Sequence, residues 1–380
     1  MRLLFFIGSL GTGGAEKQIS QLAYGLAKIN HQVFVVTVYP GGQNWEWLKK
    51  HRSVTLISLF SNKNKTMPGV FYQLCMGIFR LHKIVIKENV DVVYSALYMS
   101  NLLAWFALRG INNVKLIWGI RASNMKLNWK RFVPFYVCSK LSSGVDMIIA
   151  NSKAGLEYHK LNGYRSPDDV VVPNGIDTDK FKFNNDYRIK LRSEWGCSAQ
   201  VKLIGIVGRL DPMKDHQTFL YAAEKLSKER NDAYFICVGD GPEKYKQELL
   251  CLTEELGLSD RIIWAGKRTD TPAVYSALDI AISSSAWGEG FPNVIGEAMS
   301  CGIPCVVTDV GDSAWVVADT GFIIQSNQPI QLADACKKIL DLTHDQYKDL
   351  SSNSRHRIKS EFTIINSVIS TEKALMRCLN

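Results

Sequence analysis

Two successive series of strand-like and helix-like segments constrain the fold of this chain more than any other feature of its sequence. Short apolar runs rich in β-branched and aromatic residues occur at 3–7, 33–38, 90–94, 115–118, 147–150, 203–207, 234–238, 262–264, 280–283 and 304–308. Longer stretches of helical period separate them, such as 15–29 and 217–230. Apolar runs without polar alternation are typical of parallel strands that are covered on both faces. The sequence therefore predicts a doubly wound α/β architecture.

The length and one polar segment indicate how the chain is divided into domains. At roughly 100–200 residues per domain, 380 residues predict about two domains. The two series of strands are separated by 170–200, which contains Pro173-Asn174-Gly175 and then a polar stretch. We expect an N-terminal Rossmann-like domain at 1–175, a C-terminal one at 176–360, and a final helix at 361–380 that packs back toward the N-terminal domain. Ligands of such sheets bind beyond the carboxyl ends of the strands, so we expect a cleft between the domains.

The composition is that of a soluble globular protein. A hydrophobic fraction of 46% and a charged fraction of 21% exclude disordered, collagen-like and coiled-coil chains. The nine cysteines show neither C-x-x-C nor zinc spacing, which favours free thiols in a reducing compartment. The apolar run at 1–7 resembles a signal peptide, but it is short and lacks a small-x-small cleavage site, so we interpret it as the first strand. We expect a cytoplasmic protein, peripheral on the inner face of the cytoplasmic membrane if it associates with lipid.

The positive charge is concentrated in the first half of the chain. The formal net charge is +9, yet residues 1–175 carry 21 Lys and Arg against 8 Asp and Glu, whereas 176–380 carry 24 against 28. Such an excess indicates nucleic acid, an anionic membrane or phosphates as a partner, and no nucleic-acid-binding motif is present. Basic and aromatic residues mix at 71–87 and 126–136, which is typical either of helices at a membrane interface or of helices that cover a sheet. We expect the N-terminal domain to face an anionic membrane or a lipid diphosphate, and we expect no nucleic acid partner.

A glycine-rich segment follows the first strand. In Gly11-Thr12-Gly13-Gly14-Ala15-Glu16-Lys17, Gly13 and Gly14 would let the backbone approach a ligand at the start of a helix, where free N–H groups attract anions. The segment matches neither G-x-G-x-x-G nor the P-loop pattern. A plain strand-to-helix turn is the alternative.

Two cations follow a glycine at the end of the first strand of the second series. Gly208 and Arg209 directly follow the apolar run at 203–207, and Lys214 comes five residues after Arg209. A guanidinium that forks onto oxygens and an ammonium that adds a point charge suit a diphosphate. Two solvated surface cations are the alternative.

The segment 289–299 combines two carboxylates with a helix start. Pro292 stands where a helix would begin, Glu289 precedes it, and Glu297 lies one turn into that helix. The N–H groups of a helix start can bind phosphate, while carboxylates can accept hydrogen bonds from sugar hydroxyls. Taken singly, either glutamate could be a solvated side chain.

Taken together, these motifs resemble those of the retaining glycosyltransferases of family 4, which have the GT-B fold of two facing Rossmann-like domains. The resemblance spans nearly the whole chain and rests on Gly13-Gly14-Ala15-Glu16-Lys17, Pro173-Asn174-Gly175-Ile176-Asp177, Gly208-Arg209-Leu210 with Lys214, Gly239-Asp240-Gly241-Pro242-Glu243, and Glu289 with Glu297. It implies transfer of a sugar from a nucleotide diphosphate sugar, most commonly a UDP-sugar in this family. The segments 121–124 and 311–315 are similar to those of bacterial enzymes that build polysaccharide repeats of the O-antigen or capsule type, with a glycan or a polyprenyl-diphosphate-linked saccharide as acceptor.

The resemblance also implies a role for each matching residue. Arg209 and Lys214 would hold the diphosphate, Glu289 the hydroxyls of the donor sugar, and Glu297 those of the ribose. The other implied contacts to the donor come from Gly13 and Gly14, from Gly208, from Arg268 at the end of the segment that borders the base, and from Phe291, Pro292, Asn293 and Val294.

The sequence departs from the family pattern at one catalytic position. Many family members carry a histidine after the fourth strand of the N-terminal domain, where this chain has Arg121 instead. Arg121 would either reach a phosphate of the donor or acceptor or form a local salt bridge. Asp177-Thr178-Asp179 spells a metal-binding D-x-D but is more typical of a turn and helix cap, so we expect metal-independent catalysis without a cofactor. The alternative functions are a sugar-nucleotide epimerase of the same fold and an inactive sugar-nucleotide-binding protein.

Overall fold

The chain forms two compact units. The computed structural model describes residues 1–63, 66–123, 129–198 and 200–379, and it describes only the backbone of Met67 and of residues 129–131. The N-terminal unit comprises Met1–Gly175 together with Ile364–Asn380, and the C-terminal unit comprises Ile176–Thr363. Each unit contains one parallel sheet with helices on both faces, which confirms the predicted α/β class.

The N-terminal unit is built on a seven-stranded sheet in the order β3-β2-β1-β4-β5-β6-β7. Its strands are β1 (Arg2–Ile7), β2 (Gln32–Thr37), β3 (Thr55–Ser58), β4 (Val92–Ala96), β5 (Lys115–Ile120), β6 (Met147–Ala150) and β7 (Asp169–Val171). The connecting helices are α1 (Gly14–Lys28), α2 (Gln43–His51), α3 (Met67–Lys87), α4 (Tyr98–Ala107), α5 (Trp129–Leu141) and α6 (Lys153–Leu161). Side chains of α3, α4 and α5 cover one face of the sheet, and side chains of α1 cover the other.

The C-terminal unit is built on a six-stranded sheet in the order β10-β9-β8-β11-β12-β13. Its strands are β8 (Lys202–Val207), β9 (Ala233–Val238), β10 (Ile262–Gly266), β11 (Ile280–Ser283), β12 (Cys305–Thr308) and β13 (Phe322–Ile324). Its helices are α7 (Asn185–Glu194), α8 (His216–Glu229), α9 (Glu243–Glu255), α10 (Thr271–Ala277), α11 (Asn293–Ser300), α12 (Ser313–Val317), α13 (Pro329–Leu340) and α14 (His344–Glu361). This unit extends to Thr363, three residues beyond the predicted limit at 360.

The last helix, α15 (Ile364–Leu379), belongs to the N-terminal unit. It packs against α1, where Gly25 allows a close approach because a Cβ there would lie 2.3 Å from Val368 Cγ2. His31 Nε2 and Glu372 Oε1 are 2.7 Å apart, which ties α15 to the loop after α1. The N-terminal unit is therefore completed by residues from both ends of the sequence.

One of the two basic aromatic stretches is only partly described. Residues 71–87 lie within α3, whereas 124–128 lie outside the described residues and the side chains of 129–131 are not described. In the described remainder, Phe132, Val133 and Tyr136 of α5 are each about half exposed.

Candidate active site

The candidate site of the C-terminal unit lies at the point where the order of the strands reverses. β8 and β11 are neighbours in the sheet, but the chain leaves them toward opposite edges. Loops beyond the carboxyl ends of two such strands diverge and leave a crevice, which is the usual ligand site of a doubly wound sheet. The loop after β8 carries Gly208, Arg209 and Lys214, and the loop after β11 carries Glu289.

Backbone and serine hydrogen bonds hold these two loops together. The N–H of Ala286 donates to the carbonyl of Met213 at 2.9 Å, and Ser284 Oγ donates to the carbonyls of Lys214 and Asp215 at 3.0 Å each. Asp215 has a positive φ of 49° and caps α8 by accepting from the N–H of Thr218 at 3.1 Å. The backbone at Lys214 is therefore held by the loop after β11 and by the capped start of α8.

Lys214 and Glu289 form a largely buried ion pair. Lys214 Nζ donates to Glu289 Oε1, and Ser285 Oγ donates to the same oxygen at 2.6 Å. The two side chains are only 15% and 9% exposed. Buried charges are tolerated where they are paired and hydrogen-bonded. The structure thus joins directly the cation that the sequence predicts for the diphosphate and the carboxylate that it predicts for the sugar.

Arg209 differs from Lys214 in its exposure. Its side chain is 66% exposed, and its Nη2 lies 3.4 Å from Asp211 Oδ2. The backbone beside it is packed tightly, because a Cβ on Gly239 would lie 1.7 Å from the carbonyl oxygen of Gly208. Arg209 is therefore a solvent-facing cation on a rigid turn, close in sequence to the buried Lys214.

The start of α11 is the second anion-attracting feature of this unit. Pro292 occupies the N-cap position, and in the described part of the chain no side chain caps the first turn, which begins with Asn293 and Val294. Phe291 is buried in the core and anchors the loop before the helix. A helix N-terminus carries a partial positive charge that suits phosphate oxygens.

Glu297 lies one turn into α11 and is also buried. Its Oε2 accepts from the hydroxyl of Tyr275 at 3.3 Å. Burial, with the nearby Glu297 carboxylate as the second cause, raises the pKa of Tyr275 well above its ordinary value. Tyr275 is therefore a firm hydrogen-bond donor to Glu297.

The loop after β12 supports the backbone of Glu289. Gly311 has a φ of +62°, and a Cβ there would lie 2.3 Å from the carbonyl oxygen of Glu289. The N–H of Asp312 donates to the carbonyl of Gly290 at 3.1 Å. Glycine at 311 is thus required both by its conformation and by the close approach of the two loops.

Arg268 makes its polar contacts elsewhere in this unit. It lines a cavity of about 370 Å³ together with Tyr187 and residues of α10. Its Nη1 lies 2.6 Å from Glu194 Oε1 and its Nε 2.9 Å from Asp270 Oδ1, and these hydrogen bonds raise its pKa. The guanidinium predicted to adjoin the base is therefore engaged by two carboxylates.

The predicted residues of the N-terminal unit lie at the carboxyl ends of its strands. Gly13 is the N-cap residue of α1 and Gly14 is its first residue. Arg121 follows β5, donating from Nη2 to the hydroxyl of Tyr94 at 2.7 Å and from Nη1 to Asn174 Oδ1 at 3.1 Å. Both of these acceptors are neutral, and among the residues that the structure describes Arg121 forms no ion pair.

The aspartates of the D-x-D segment behave as turn residues. Asp177 Oδ1 accepts from the N–H of Lys180 at 2.9 Å, which closes the turn. Within the described ranges, no group of three or more His, Cys, Asp and Glu side chains is arranged to hold a metal ion.

Several residues of the site were not predicted from the sequence. Ser285 ends a run of three serines that begins with the last residue of β11, and polar residues at the end of a central strand are a signal that could have identified it. Asn174 belongs to the Pro173-Asn174-Gly175 motif, which could have identified it, whereas Tyr275 and Tyr94 have no comparable signal. His216, the first residue of α8, is 1% exposed, and in the described part of the structure neither ring nitrogen has a hydrogen-bond partner. Burial, and after it the charge of Lys214, lowers the pKa of His216 to about 4.

Comparisons with known proteins identify the family of this chain. The chain matches the model of the glycosyl transferases group 1 over residues 188–357 and that of Glycosyltransferase Family 4 over residues 12–180. It is 26% identical over 304 residues to the UDP-Gal:alpha-D-GlcNAc-diphosphoundecaprenol alpha-1,3-galactosyltransferase of Escherichia coli, covering 77% of this chain and 76% of the relative. It is 28% identical over 360 residues to the N-acetyl-alpha-D-glucosaminyl L-malate synthase of Bacillus anthracis, covering 92% and 90%.

Solved structures show the same fold. HepE of Anabaena, solved in complex with UDP, superposes with a TM-score of 0.83 at 22% identity, covering 99% of this chain and 100% of that one. WaaG, a glycosyltransferase involved in lipopolysaccharide biosynthesis, superposes with a TM-score of 0.68 at 17% identity and 99% coverage of both chains. With two parallel-sheet units and family models that together span most of its length, this chain belongs to glycosyltransferase family 4 and has the GT-B fold.

Proposed function

We propose that this protein is a retaining glycosyltransferase that moves a sugar from a UDP-sugar to a glycan or lipid-linked saccharide in the assembly of a bacterial polysaccharide. The observation that carries the proposal is the buried Lys214–Glu289 pair at the strand-reversal point of the C-terminal unit. HepE has been solved with UDP and with UDP-glucose, and the name of the E. coli relative states a UDP-Gal donor and a diphosphoundecaprenol-linked acceptor. These relatives support a UDP-sugar donor and a lipid-linked acceptor for this chain.

Positive charge at the site would stabilise the departing UDP. As the bond between the anomeric carbon and the diphosphate breaks, negative charge grows on the phosphate oxygens. An ammonium has three N–H donors, and Glu289 accepts from one of those of Lys214, so the others can reach the diphosphate. The exposed guanidinium of Arg209 and the start of α11 would add to this stabilisation. Preorganised groups of this kind supply a large share of the rate enhancement of many enzymes.

The environment of Glu289 favours a binding role over a role as nucleophile or base. Its Oε1 already accepts hydrogen bonds from Lys214 and from Ser285, so the electron pairs of this oxygen are engaged and less available for attack. Glu289 would instead hold hydroxyls of the donor sugar, while Glu297, positioned by Tyr275, would hold those of the ribose. We propose a front-face reaction in which the leaving phosphate accepts the proton of the acceptor hydroxyl, through a transition state like an oxocarbenium ion.

We propose that the reaction needs no metal ion. The cations Arg209 and Lys214 would neutralise the diphosphate, which is the usual task of a divalent ion at such a site. Transfer should persist in excess EDTA after extensive dialysis. Activity that is abolished by the chelator and restored by Mn²⁺ would contradict this proposal.

Arg121 is the residue we propose for contact with a phosphate near the reacting sugar. Its guanidinium bonds to the neutral Tyr94 and Asn174, so no described carboxylate cancels its charge. The Arg121→Gln variant should lower kcat at least tenfold. Unchanged kcat in this variant would leave Arg121 with a merely structural role.

Ligand-induced thermal shift of the full-length protein tests the donor class directly. UDP and UDP-sugars should raise Tm, because a ligand that binds only the folded state stabilises it. The Lys214→Met variant should lose the shift, while Lys228→Met, which removes a lysine paired with Glu224 at the surface, should keep it as the matched control. An absence of any shift with UDP-sugars, or an equal shift in Lys214→Met, would refute the assignment. Release of UDP only together with an epimerised sugar, without an acceptor, would instead identify an epimerase.

The charge of the first 175 residues supports a peripheral position on the inner face of the cytoplasmic membrane. Their net charge of +13 contrasts with −4 for the remainder, and basic surfaces near a membrane are attracted to its anionic lipids. Flotation with liposomes that contain phosphatidylglycerol should recover the protein, and raising the salt concentration should release it. Equal behaviour with neutral liposomes would contradict an electrostatic attraction.

A further inference from the structure

A mostly apolar cavity of about 230 Å³ lies in the N-terminal unit, beyond the carboxyl ends of β1, β2 and β3. β1 and β4 are neighbours from which the chain leaves in opposite directions, so the cavity adjoins the strand-reversal point where doubly wound sheets bind ligands. Its lining includes Gly8, Tyr39 and Phe60 from the loops after the strands and Leu74, Gly77 and Leu103 from α3 and α4.

The polar groups in the lining are already hydrogen-bonded within the chain. The hydroxyl of Tyr39 donates to Gln73 Oε1 at 2.7 Å, and Gln73 Nε2 donates to the carbonyl of Asn62 at 2.9 Å. Arg80 donates to the carbonyl of Leu59 and lies 4.5 Å above the ring of Phe60. The cavity therefore presents aliphatic and aromatic surface, which suits a hydrocarbon better than a sugar.

Gly77 keeps this cavity open. A glycine in the interior of a helix is unfavourable, and at 77 neither a positive φ nor a close backbone contact requires it. A Cβ at 77 would lie 3.6 Å from Phe60 Cε2, which is an ordinary contact, so the space beyond it would accept a larger side chain. The residues of α3 that line the cavity, at 70, 73, 74 and 77, share one side of the helix.

The opposite side of α3 has the character of a membrane interface. Tyr72, Phe79 and Ile86 are about half exposed there, and Lys83 Nζ lies 4.4 Å from the centre of the Phe79 ring. Neither 47–87 nor 92–145 contains a single Asp or Glu, so α3 and α5 carry basic residues without acidic ones, and α4 carries no charged residue. Lys87 pairs with Glu88 just beyond the helix, whereas no acidic residue lies within α3 itself. Exposed aromatic residues combined with basic residues are typical of a helix that lies on an anionic lipid surface.

We propose that this cavity binds the hydrocarbon chain of a lipid-linked acceptor, which reaches it from an anionic membrane on which α3 lies. The acceptor's role rests on the proposed function, whereas the binding of the chain rests on the cavity alone. α3 would serve both purposes, with one side against the membrane and the other side against the bound chain.

A series of diphosphates that differ only in chain length tests this proposal on the full-length protein. Inorganic diphosphate and the dimethylallyl (C5), geranyl (C10) and farnesyl (C15) diphosphates would be titrated by calorimetry. Each methylene withdrawn from water contributes about fourfold in affinity, so we expect a gain of at least tenfold from C5 to C10. Gly77→Leu should fill the cavity and reduce this gain below threefold, while Gly77→Ala should keep it. Equal affinities at all lengths, or an undiminished gain in Gly77→Leu, would overturn the proposal.

Two further measurements separate the possible causes of a negative result. The thermal shift with UDP reports on the C-terminal unit and should be equal in the wild type and all variants. An unchanged urea-unfolding slope and far-ultraviolet circular dichroism spectrum of Gly77→Leu would show that its N-terminal unit, which contains residue 77, also folds. Phe79→Ser should weaken binding to phosphatidylglycerol vesicles and leave the chain-length gain intact. If Gly77→Leu weakens vesicle binding as much as Phe79→Ser but retains the gain, the cavity holds a lipid of the bilayer, and the proposal is wrong. If UDP does not bind the wild type, the proposed function fails while the chain-length series stands or falls independently.

Discussion

The Lys214–Glu289 ion pair offers a way to separate a loss of stability from a loss of catalysis. In the variant Lys214→Met, a side chain of similar length remains, but Glu289 keeps only the hydrogen bond from Ser285. Removing one partner of a buried pair costs about 3–5 kcal/mol, because the other charge stays buried without compensation. Since the Ser285 bond persists and the pair retains 9–15% exposure, we expect a loss near the lower limit, about 3 kcal/mol.

Variants of Glu289 test the same buried charge from the other side of the ion pair. Glu289→Gln retains an acceptor for Ser285 but leaves the ammonium of Lys214 buried without its counter-charge, so it should also cost about 3 kcal/mol. The double variant Lys214→Met/Glu289→Gln removes both charges, so its loss should be smaller than the sum of the two single losses by roughly 1–3 kcal/mol. Lys228→Met is a matched control, because Lys228 pairs with Glu224 at the surface and its removal should leave the unfolding midpoint unchanged.

Urea unfolding of the four variants measures these free energies, provided that the slope of each transition stays that of the wild type. Turnover with the preferred UDP-sugar should fall at least 100-fold in Lys214→Met and in the double variant, because groups that stabilise the leaving phosphate are typically worth 10²–10³ in rate. Glu289→Gln should lower turnover as well, because the charged acceptor for the hydroxyls of the donor sugar is lost. A loss below 0.5 kcal/mol in Lys214→Met, or strictly additive losses, would refute the buried-charge reasoning. A double variant that regained both stability and turnover would show that the single variants fail through their fold.

Three further predictions concern the loop that supports Glu289, a buried ion pair at the amino end of β11, and the buried histidine at the start of α8. Gly311→Ala should lower the unfolding free energy by roughly 1–3 kcal/mol and reduce turnover, because its Cβ would collide with the backbone of Glu289. Unchanged turnover would show that this loop does not contribute to the site. Asp279→Asn should cost about 3–5 kcal/mol in urea unfolding, since the buried carboxylate accepts from Arg192 and, at 2.7 Å, from the N–H of Leu203; a loss below 1 kcal/mol would contradict this. With a pKa of about 4 when folded and an ordinary value near 6.5 when unfolded, His216 binds its proton first in the unfolded state, so stability falls as the pH drops from 6.5 toward 4. By pH 5 the loss should be about 2 kcal/mol relative to pH 7, and His216→Leu should remove it; an equal pH dependence in that variant would refute the assignment.

The central strands could be predicted from the sequence because they are buried on both faces. The residues of β1, for example, are all buried except the first, so the strand appears as an unbroken apolar run. The edge strands β3, β7 and β13 were not predicted. They contain only three or four residues, and most of these are partly exposed, so their composition resembles that of a loop. Their formation depends on a neighbouring strand rather than on a local pattern.

The site residues could be located along the chain, but their partners could not. The spacing of Arg209 and Lys214 indicates two similar cations, whereas the structure exposes one and buries the other against Glu289. That contact joins residues 75 positions apart and depends on the packing of two loops, which no local pattern encodes. Arg268 illustrates the converse, because its sequence position at a strand end does not reveal that Glu194 and Asp270 engage it.

The return of α15 to the N-terminal unit affects the order in which the protein can fold during synthesis. The C-terminal unit is contiguous, so all of its residues have emerged once Thr363 has left the ribosome. The N-terminal unit, although it is translated first, lacks the apolar side of α15 that covers α1 until the end, and Val368 and Leu375 are buried there. The N-terminal unit, whose synthesis begins first, is thus the last to receive all of its residues. A chain truncated after Thr363 would keep every residue proposed for catalysis, yet it would expose part of an apolar core and should aggregate or depend on chaperones.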